Sequence, residues 1–284
     1  MNKLTVKKGN VSYEFAVDYV KYCLGNNYVN KHEFKNIIFE VFNGSKSTEY
    51  AMNFTGTSVI LFNDHPILSK FWNMYYVNEN YSINSEMKLT AKSLSSLYFE
   101  TIFNDMDHFD TINTLNILME SLAQEIESEN WNTRFISLTP KQLVKLMTPI
   151  YLLDENQANE YDLDYEQSII MQLDMIKLIS ENIKTKKHLC LIEIPLLTEN
   201  IQKAIEQLKD NCITIVMLSG YSILIDVEDV YLFEQDTLDL SDELLLFQMF
   251  NDKGISTIEE AKNIMKNELN KQVITLKSLQ HINK

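Results

Sequence analysis

Hydrophobic and polar residues follow two different periods between Lys186 and Phe233, and this region gives the clearest structural prediction. The runs HLCLIEI and CITIVML are almost continuously apolar, which is typical of strands buried on both faces of a parallel sheet. Between them, TENIQKAIEQLKD carries apolar residues at helical spacing, and Thr198 is placed to cap that helix. VEDVYLFEQD offers a further short strand. The pattern predicts a β-α-β unit within a mainly parallel α/β fold.

Long helical patterns replace these strands between residues 84 and 182. INSEMKLTAKSLSSLYFETIFND and DTINTLNILMESLAQEIE predict a helical hairpin joined by an acidic turn. A second helical pair is predicted at PKQLVKLMTPIY, with Pro140 at the helix start, and at YEQSIIMQLDMIKLISENIK. We therefore expect an α-helical leg domain inserted into an α/β head domain.

The predicted domain boundaries follow these changes in pattern. The head comprises residues 1–83 and 183–240, the leg residues 84–182, and residues 241–284 form a C-terminal helical extension in which Thr257 and Glu260 suggest a capping box. The first 70 residues are less regular. There, FKNIIFEVFNG and TSVILFN have the composition of strands, and YEFAVDYVKYCL fits either a helix or a strand.

Composition and charge narrow the class of protein. The chain has 284 residues, 45% of them hydrophobic, which is ordinary for a globular protein with a sizeable core. A net charge of −15 argues against a surface that binds DNA all over, although a local lysine patch could still contact phosphates. The start has no apolar signal core, and no run approaches the roughly 18 apolar residues of a membrane span. We therefore expect a cytoplasmic protein without a membrane partner.

The short motifs of common enzymes are missing. GxxxxGK[ST], GxGxxG, GxSxG and HExxH do not occur, and the five histidines show no metal-ligand spacing. Ser85 and Lys88 match an SxxK string, but its companion motifs are absent. The three cysteines, Cys23, Cys190 and Cys212, form no CxxC pair and are expected to be buried and reduced. We expect no catalytic residues.

Four acidic residues, Glu100, Asp105, Asp107 and Asp110, lie close together in the turn of the helical hairpin. Oxygen ligands in a tight turn suit a hard cation such as Ca²⁺, which tolerates irregular geometry. The spacing is not that of an EF-hand. Spacing alone favours a solvated turn with an aspartate helix cap over a metal site.

Two groups of lysines are candidates for contact with a phosphate backbone. Lys184, Lys186 and Lys187 precede the first buried strand, and Lys88 and Lys92 lie one helical turn apart on the first predicted leg helix. For both groups the alternative is a solvated basic surface, which their spacing favours.

The order of elements and two long strings resemble the small accessory protein of type II-A CRISPR systems that is required for spacer acquisition. The stronger match runs from KLISENIKTKKHLCLIEIP through CITIVMLSG to VEDVYLF, and the second is SEMKLTAKSLSSLYFETIFNDMDHFDTINTLNILMESL. Together with weaker agreement from Asp18 to Tyr76, the resemblance covers most of residues 15–238.

The resemblance implies a head that looks like a P-loop ATPase fold without the nucleotide motif, together with a helical leg. It implies a non-catalytic homotetrameric ring that binds calcium and holds the ends of double-stranded DNA in a lysine-lined hole. The matching acidic positions are Glu100, Asp105 and Asp107, with Asp110 as a possible fourth, and the matching basic run is Lys184, Lys186 and Lys187. The partners would be the CRISPR integrase pair and the type II effector nuclease.

This chain departs from the compact members of that family. It has extra material around residues 130–164 and a tail beyond Ser241. Other classes of function stay open at this point. One is an enzyme, either a metal-dependent nuclease or a degenerate nucleotide hydrolase. Another is a protein-only scaffold of an adaptation complex, which the acidic net charge favours.

Overall fold

The structure, a computed structural model, describes residues 2–44, 56–91, 93–250, 255 and 257–282, with side chains up to residue 270. The chain divides into two compact units. The first unit comprises Met1–Glu79 and Lys184–Lys284, and the second unit comprises Asn80–Ile183. The C-terminal segment predicted as an extension therefore clusters with the first unit.

The strands are numbered along the chain as β1 (Asn2–Lys8), β2 (Val11–Val17), β3 (Val20–Leu24), β4 (Ser58–Phe62), β5 (His65–Pro66), β6 (Trp72–Asn78), β7 (Leu152–Leu153), β8 (Asn156–Gln157), β9 (Lys187–Ile194), β10 (Cys212–Leu218), β11 (Val230–Phe233) and β12 (Thr237–Asp239).

The main sheet of the first unit has six strands in the order β12-β11-β3-β10-β9-β6. Its strands are parallel except for the antiparallel edge pair β11 and β12. The predicted β-α-β unit is confirmed, because β9 and β10 pair in parallel and are joined by the helix Glu199–Glu206, which Thr198 caps. The mixed α/β class with a mainly parallel sheet is thus confirmed.

A second, antiparallel sheet of the first unit has the order β2-β1-β4-β5. The segment YEFAVDYVKYCL, which fitted either a helix or a strand, forms most of β2 and β3, and TSVILFN contains β4 as predicted. The core of this unit is rich in aromatic residues. Phe34 contacts the rings of Tyr13, Phe15 and Phe233 at centroid distances of 5.4, 6.1 and 5.5 Å.

The prediction of a strand at FKNIIFEVFNG is wrong, because this segment belongs to the helix Tyr28–Asn43, called the first helix below. Its buried residues Phe34, Ile37 and Ile38 have the three- and four-residue spacing of one helix face. The Asn27 side chain accepts a hydrogen bond from the backbone N–H of Asn30, and Gly44 ends the helix at φ 59°. Packing of this apolar face therefore outweighs the strand preference of its β-branched and aromatic residues.

The second unit is mainly helical, as predicted, but its first long helix is interrupted. The chain leaves the helical path at Leu89, which has a φ of +47°. Pro140 begins a helix as predicted, behind a capping box of Thr139 and Gln142. The segment between the last two helices contains the small hairpin β7–β8. The helices are Ile83–Glu86, Leu94–Phe103, Phe109–Glu125, Pro140–Leu146 and Tyr165–Asn182.

The C-terminal part of the first unit contains the helices Glu243–Phe250 and Ile258–Ile282. The capping box of Thr257 and Glu260 is confirmed, since each backbone N–H donates to the other side chain. The three cysteines are buried and free, as expected. Among the described residues, no helix is long and apolar enough to cross a membrane.

Candidate functional site

The predicted lysine cluster lies at the amino end of β9. Lys184 donates to the side-chain oxygen of Asn211, and Lys186 donates to that of Asn73 at 3.2 Å. The Lys187 ammonium lies over the rings of Phe62 and Trp72, 5.2 and 5.5 Å from their centroids. In the described part of the chain, no carboxylate forms an ion pair with these three lysines. The cluster is therefore a patch of uncompensated positive charge on an acidic protein.

The second pair of candidate lysines does not have the predicted geometry. Lys88 is exposed in the turn that follows the short helix Ile83–Glu86, so it is not on a long helix. Lys92 lies outside the described residues. The prediction that both occupy one helix face is wrong for Lys88, because the helix ends before it.

The four acidic candidates are distributed around a capped turn. Glu100 is on the helix Leu94–Phe103, and Asp110 is in the first turn of the next helix. Asp105 accepts a hydrogen bond from the backbone N–H of Asp107 at 3.1 Å, which caps a short 3-10 turn. Within the described residues, no three or more His, Cys, Asp or Glu side chains are grouped to hold a metal ion. Calcium binding at these four residues therefore stays a prediction.

A different group of residues lies at the carboxyl edge of the main sheet. The connection after β3 leads toward β6, whereas the connection after β10 leads to β11 on the other side of β3. Ligands of open α/β sheets bind where two adjacent strands send their connections in opposite directions. In this sheet, that point lies between the carboxyl ends of β3 and β10.

The loop after β3 has the spacing of a phosphate-binding loop but not its residues. Gly25 and Lys31 are separated as the first glycine and the lysine of GxxxxGK[ST], with Asn30 and His32 in place of the second glycine and the Ser or Thr. The first helix begins at Tyr28, before the lysine. The complete motif is absent from the chain, so the sequence pattern alone does not predict this loop. The relation becomes visible only when changes are allowed at both the second glycine and the Ser or Thr position.

Most backbone donors of this loop already bond within the chain. The N–H of Asn27 donates to the Phe233 carbonyl at 2.9 Å, and that of Lys31 donates to the Asn27 carbonyl at 3.1 Å. Gly25 has a φ of +98°, and a Cβ there would lie 2.3 Å from the Phe233 carbonyl oxygen. The N–H of Asn26 faces the Glu234 carboxylate at 3.4 Å. A phosphate needs free N–H groups and no nearby anion, so this loop does not fit a phosphate.

The lysine at the motif position is held inside the fold. Lys31 is 5% exposed, and its ammonium donates to the Leu218 carbonyl at the end of β10, at 2.8 Å. Burial lowers the pKa of Lys31 from its usual value. The side chain therefore closes the gap between β3 and β10 rather than pointing toward a ligand.

An acidic residue near the end of β9 has a lysine partner. Glu193 follows four buried apolar residues, 189–192, and accepts two hydrogen bonds from Lys35, at 2.8 and 3.0 Å. The Tyr76 hydroxyl also donates to it. Burial acts to raise the pKa of Glu193, but hydrogen bonds from Lys35 and Tyr76 and the charges of Lys35 and His32 lower it overall. Glu193 is thus an ionised carboxylate with an internal counter-ion.

The folded chain defines a mixed α/β protein with a mainly parallel six-stranded sheet and a separate helical unit. No protein-family model matches it, and no curated protein does. Among solved structures, Stu0660 of Streptococcus thermophilus is similar in fold, with a TM-score of 0.64 and 15% sequence identity. The match covers 87% of this chain and 78% of Stu0660. At that identity the similarity shows a shared fold alone.

Proposed function

We propose that this chain is a non-catalytic protein that assembles into a homotetrameric ring and holds the ends of double-stranded DNA during CRISPR spacer acquisition. The family resemblance of the sequence suggests the role. Three features of the folded chain support it: an exposed apolar helix face, an uncompensated lysine cluster, and a loop whose phosphate-binding groups are already used.

The apolar face of the helix Phe109–Glu125 is the observation that carries the proposal. Only Ile112 and Ala123 of this helix are buried. Leu115, Leu118 and Leu122 follow one another at three- and four-residue spacing and are 39%, 60% and 51% exposed. A monomeric protein seldom exposes such a continuous apolar stripe, which is typical of a protein interface. We call this stripe the leucine face, and assembly would bury it.

The lysine cluster at Lys184, Lys186 and Lys187 supports DNA as the ligand. Ammonium groups without carboxylate partners can neutralise phosphates and release counterions on binding. Contacts of this kind fix the position of DNA but do not read its sequence. The net charge of −15 would keep DNA away from the rest of the surface.

The loop at Gly25–Lys31 supports a role without nucleotide hydrolysis. It follows the first parallel strand, where a P-loop protein would place its phosphate-binding loop, and this relation supports the likeness of the head to a degenerate P-loop ATPase fold. The proposal does not depend on a calcium ion, and among the described residues no three carboxylates are grouped to hold one. The calcium expectation stays a prediction, which melting temperatures in millimolar calcium and in EGTA would check.

Mass and DNA binding test the proposal together. We expect a solution mass near four times the 33.2 kDa of the monomer. Binding should require free DNA ends, ignore sequence and weaken steeply as the salt concentration rises. Replacing Lys184, Lys186 and Lys187 with alanine should weaken binding by roughly tenfold or more, because phosphate contacts are lost. The matched control Lys203→Ala, an exposed lysine on the helix Glu199–Glu206, should bind normally.

A protein-only scaffold is the second candidate, and the acidic net charge favours it. The same experiments separate it from the first, because a scaffold would show the tetramer mass but no end-dependent DNA binding. A monomer at micromolar concentration, or equal binding to closed circles, would contradict the ring. Degradation of linear DNA with Mg²⁺ or Mn²⁺ would instead indicate a nuclease.

A further inference from the structure

Two lysines of the first helix reach the carboxyl edge of the main sheet. Lys31 and Lys35 are four residues apart, so they lie on the same helix face. Lys31 bonds the end of β10 through the Leu218 carbonyl, and Lys35 bonds the end of β9 through Glu193. The helix is thereby tied to two neighbouring strands of the sheet, at the place where a P-loop protein holds its nucleotide and metal.

The position of Glu193 can be compared with that of the acidic metal ligand in P-loop proteins. In P-loop proteins the Mg²⁺ ion is held by the Ser or Thr after the motif lysine and by an acidic residue on another strand. The corresponding residues here are His32, which is a poor ligand for Mg²⁺, and Glu193. His32 lies close enough for its charge to lower the pKa of Glu193. On the likeness to a P-loop fold, Glu193 would correspond to the acidic residue that holds Mg²⁺ in those proteins.

The Lys35 ammonium supplies the positive charge that this carboxylate needs. It contacts both carboxylate oxygens, and its side chain is only 19% exposed. An ε-ammonium is a compact point charge with three donors, which makes it a close substitute for a bound cation. The Tyr76 hydroxyl occupies a further acceptor position on Glu193. No charge is left for a metal ion to neutralise.

We propose that Lys35 is a built-in cation, whose ammonium group occupies the place at Glu193 where a P-loop protein holds a divalent metal ion. Lys35 thereby prevents metal ions and metal-bound nucleotides from binding at this edge of the sheet. The inference rests on the proposed likeness of the head to a P-loop fold, but not on DNA binding or on the ring. It predicts that shortening Lys35 opens a cation site that the natural chain does not have.

Terbium(III) is a suitable probe, because it prefers oxygen ligands as Ca²⁺ does and emits when a nearby tyrosine transfers excitation energy to it. Tyr76 touches Glu193 and so reports on this site. In Lys35→Ala the ammonium is removed and space is left, so tyrosine-sensitised emission should rise above that of the natural chain. We expect roughly tenfold tighter terbium binding, as one bidentate carboxylate becomes available.

Three variants control for other effects. Lys35→Met fills the same space without charge, so it should fold but gain little emission. The double variants Lys35→Ala/Glu193→Gln and Lys35→Ala/Tyr76→Phe should lose the gain, the first by removing the ligand and the second by removing the reporter. Melting curves of Lys35→Met establish that the fold tolerates loss of the charge.

Two results would overturn the proposal. Equal terbium emission from the natural chain and from Lys35→Ala would show that Lys35 does not exclude a cation. A gain in Lys35→Ala that persists after Glu193→Gln would place the ion elsewhere on this acidic protein. A gain confined to Lys35→Ala and dependent on Glu193 supports the built-in cation.

Discussion

The two compact units use their apolar residues in opposite ways. In the first unit, Leu189, Leu191 and Ile215 on adjacent strands are fully buried, and aromatic rings from both sheets enclose Phe34. In the second unit, the leucine face of the helix Phe109–Glu125 remains exposed. Since burial of apolar surface is the main source of folding free energy, the first unit obtains that energy within one chain. The second unit would obtain part of it only by contact with another surface.

Removing an aromatic ring from the first unit should have the largest effect on stability. Phe34 is completely buried among Tyr13, Phe15 and Phe233, so Phe34→Ala leaves a cavity that the two sheets cannot close. We expect a loss of about 3–5 kcal/mol in the free energy of unfolding, measured in urea. Phe34→Leu, which keeps much of the volume, should lose less. Equal losses would mean that the volume of the cavity does not set the cost.

Breaking the buried ion pair of the first unit should have the next largest effect. Lys21 is 1% exposed, and its ammonium lies 2.6 Å from the Asp239 carboxylate and 3.0 Å from the Glu228 carbonyl. Lys21→Met leaves a partly buried carboxylate without its counter-ion, which should cost about 3 kcal/mol. Adding Asp239→Asn should recover part of the loss. If it recovers nothing, the hydrogen bond from Lys21 to the Glu228 carbonyl rather than the ion pair is the stabilising element.

Asp229 should have a smaller effect that depends on pH. Burial raises its pKa to about 6; Lys21 opposes that rise, while Glu228, Asp226 and Asp18 add to it. The folded chain therefore binds a proton more tightly than the unfolded chain, so this contribution to stability is present below pH 4 and is lost as the pH rises to 6.

Asp229→Asn should remove this dependence of the free energy of unfolding on pH. It should also stabilise the protein by about 1 kcal/mol at pH 7.5, after allowance for solvent screening. Urea midpoints between pH 4 and pH 8 would measure both effects. Asp236→Asn, at an exposed position, is the control. If the pH dependence of stability persists in Asp229→Asn, another titratable group causes it.

Charged residues introduced into the leucine face should have the smallest effect on monomer stability. They should, however, abolish self-assembly. Leu118→Asp with Leu122→Asp should change the free energy of unfolding of the monomer by less than about 0.5 kcal/mol, because both side chains are exposed. Light scattering should show loss of self-association. Asn113→Asp, another exposed position on this helix, should leave the mass unchanged. A large loss of monomer stability would contradict the contrast between the units.

The sequence predicted the parts of the fold that depend on local pattern. β9, β10 and the Thr198 cap could be found because each is determined by residues close together in the chain. The first helix was mistaken for a strand, since its apolar residues are β-branched or aromatic and only packing against both sheets shows the helical face. The interrupted helix at Leu89 has no glycine or proline to mark it.

The candidate site was less accessible to sequence analysis than the fold. Lys31 and Lys35 acquire their roles from Leu218 and Glu193, which come from distant segments of the chain. The acidic turn showed the opposite problem, because Glu100, Asp105 and Asp107 are close in sequence but do not converge on a common point. Spacing identifies residues of suitable chemistry, whereas tertiary pairing decides which of them share a site.

The order of the strands in the main sheet also has a consequence for synthesis on the ribosome. β3 lies between β10 and β11, so Val20 pairs with Thr214 and Tyr22 with Val230. These partners emerge only after the entire second unit has been made. Domains made of local contacts form early, and non-local pairing is slow. We therefore expect the helices of the second unit to form first. The apolar strand β3 should stay without its neighbouring strands until the last third of the chain has been translated.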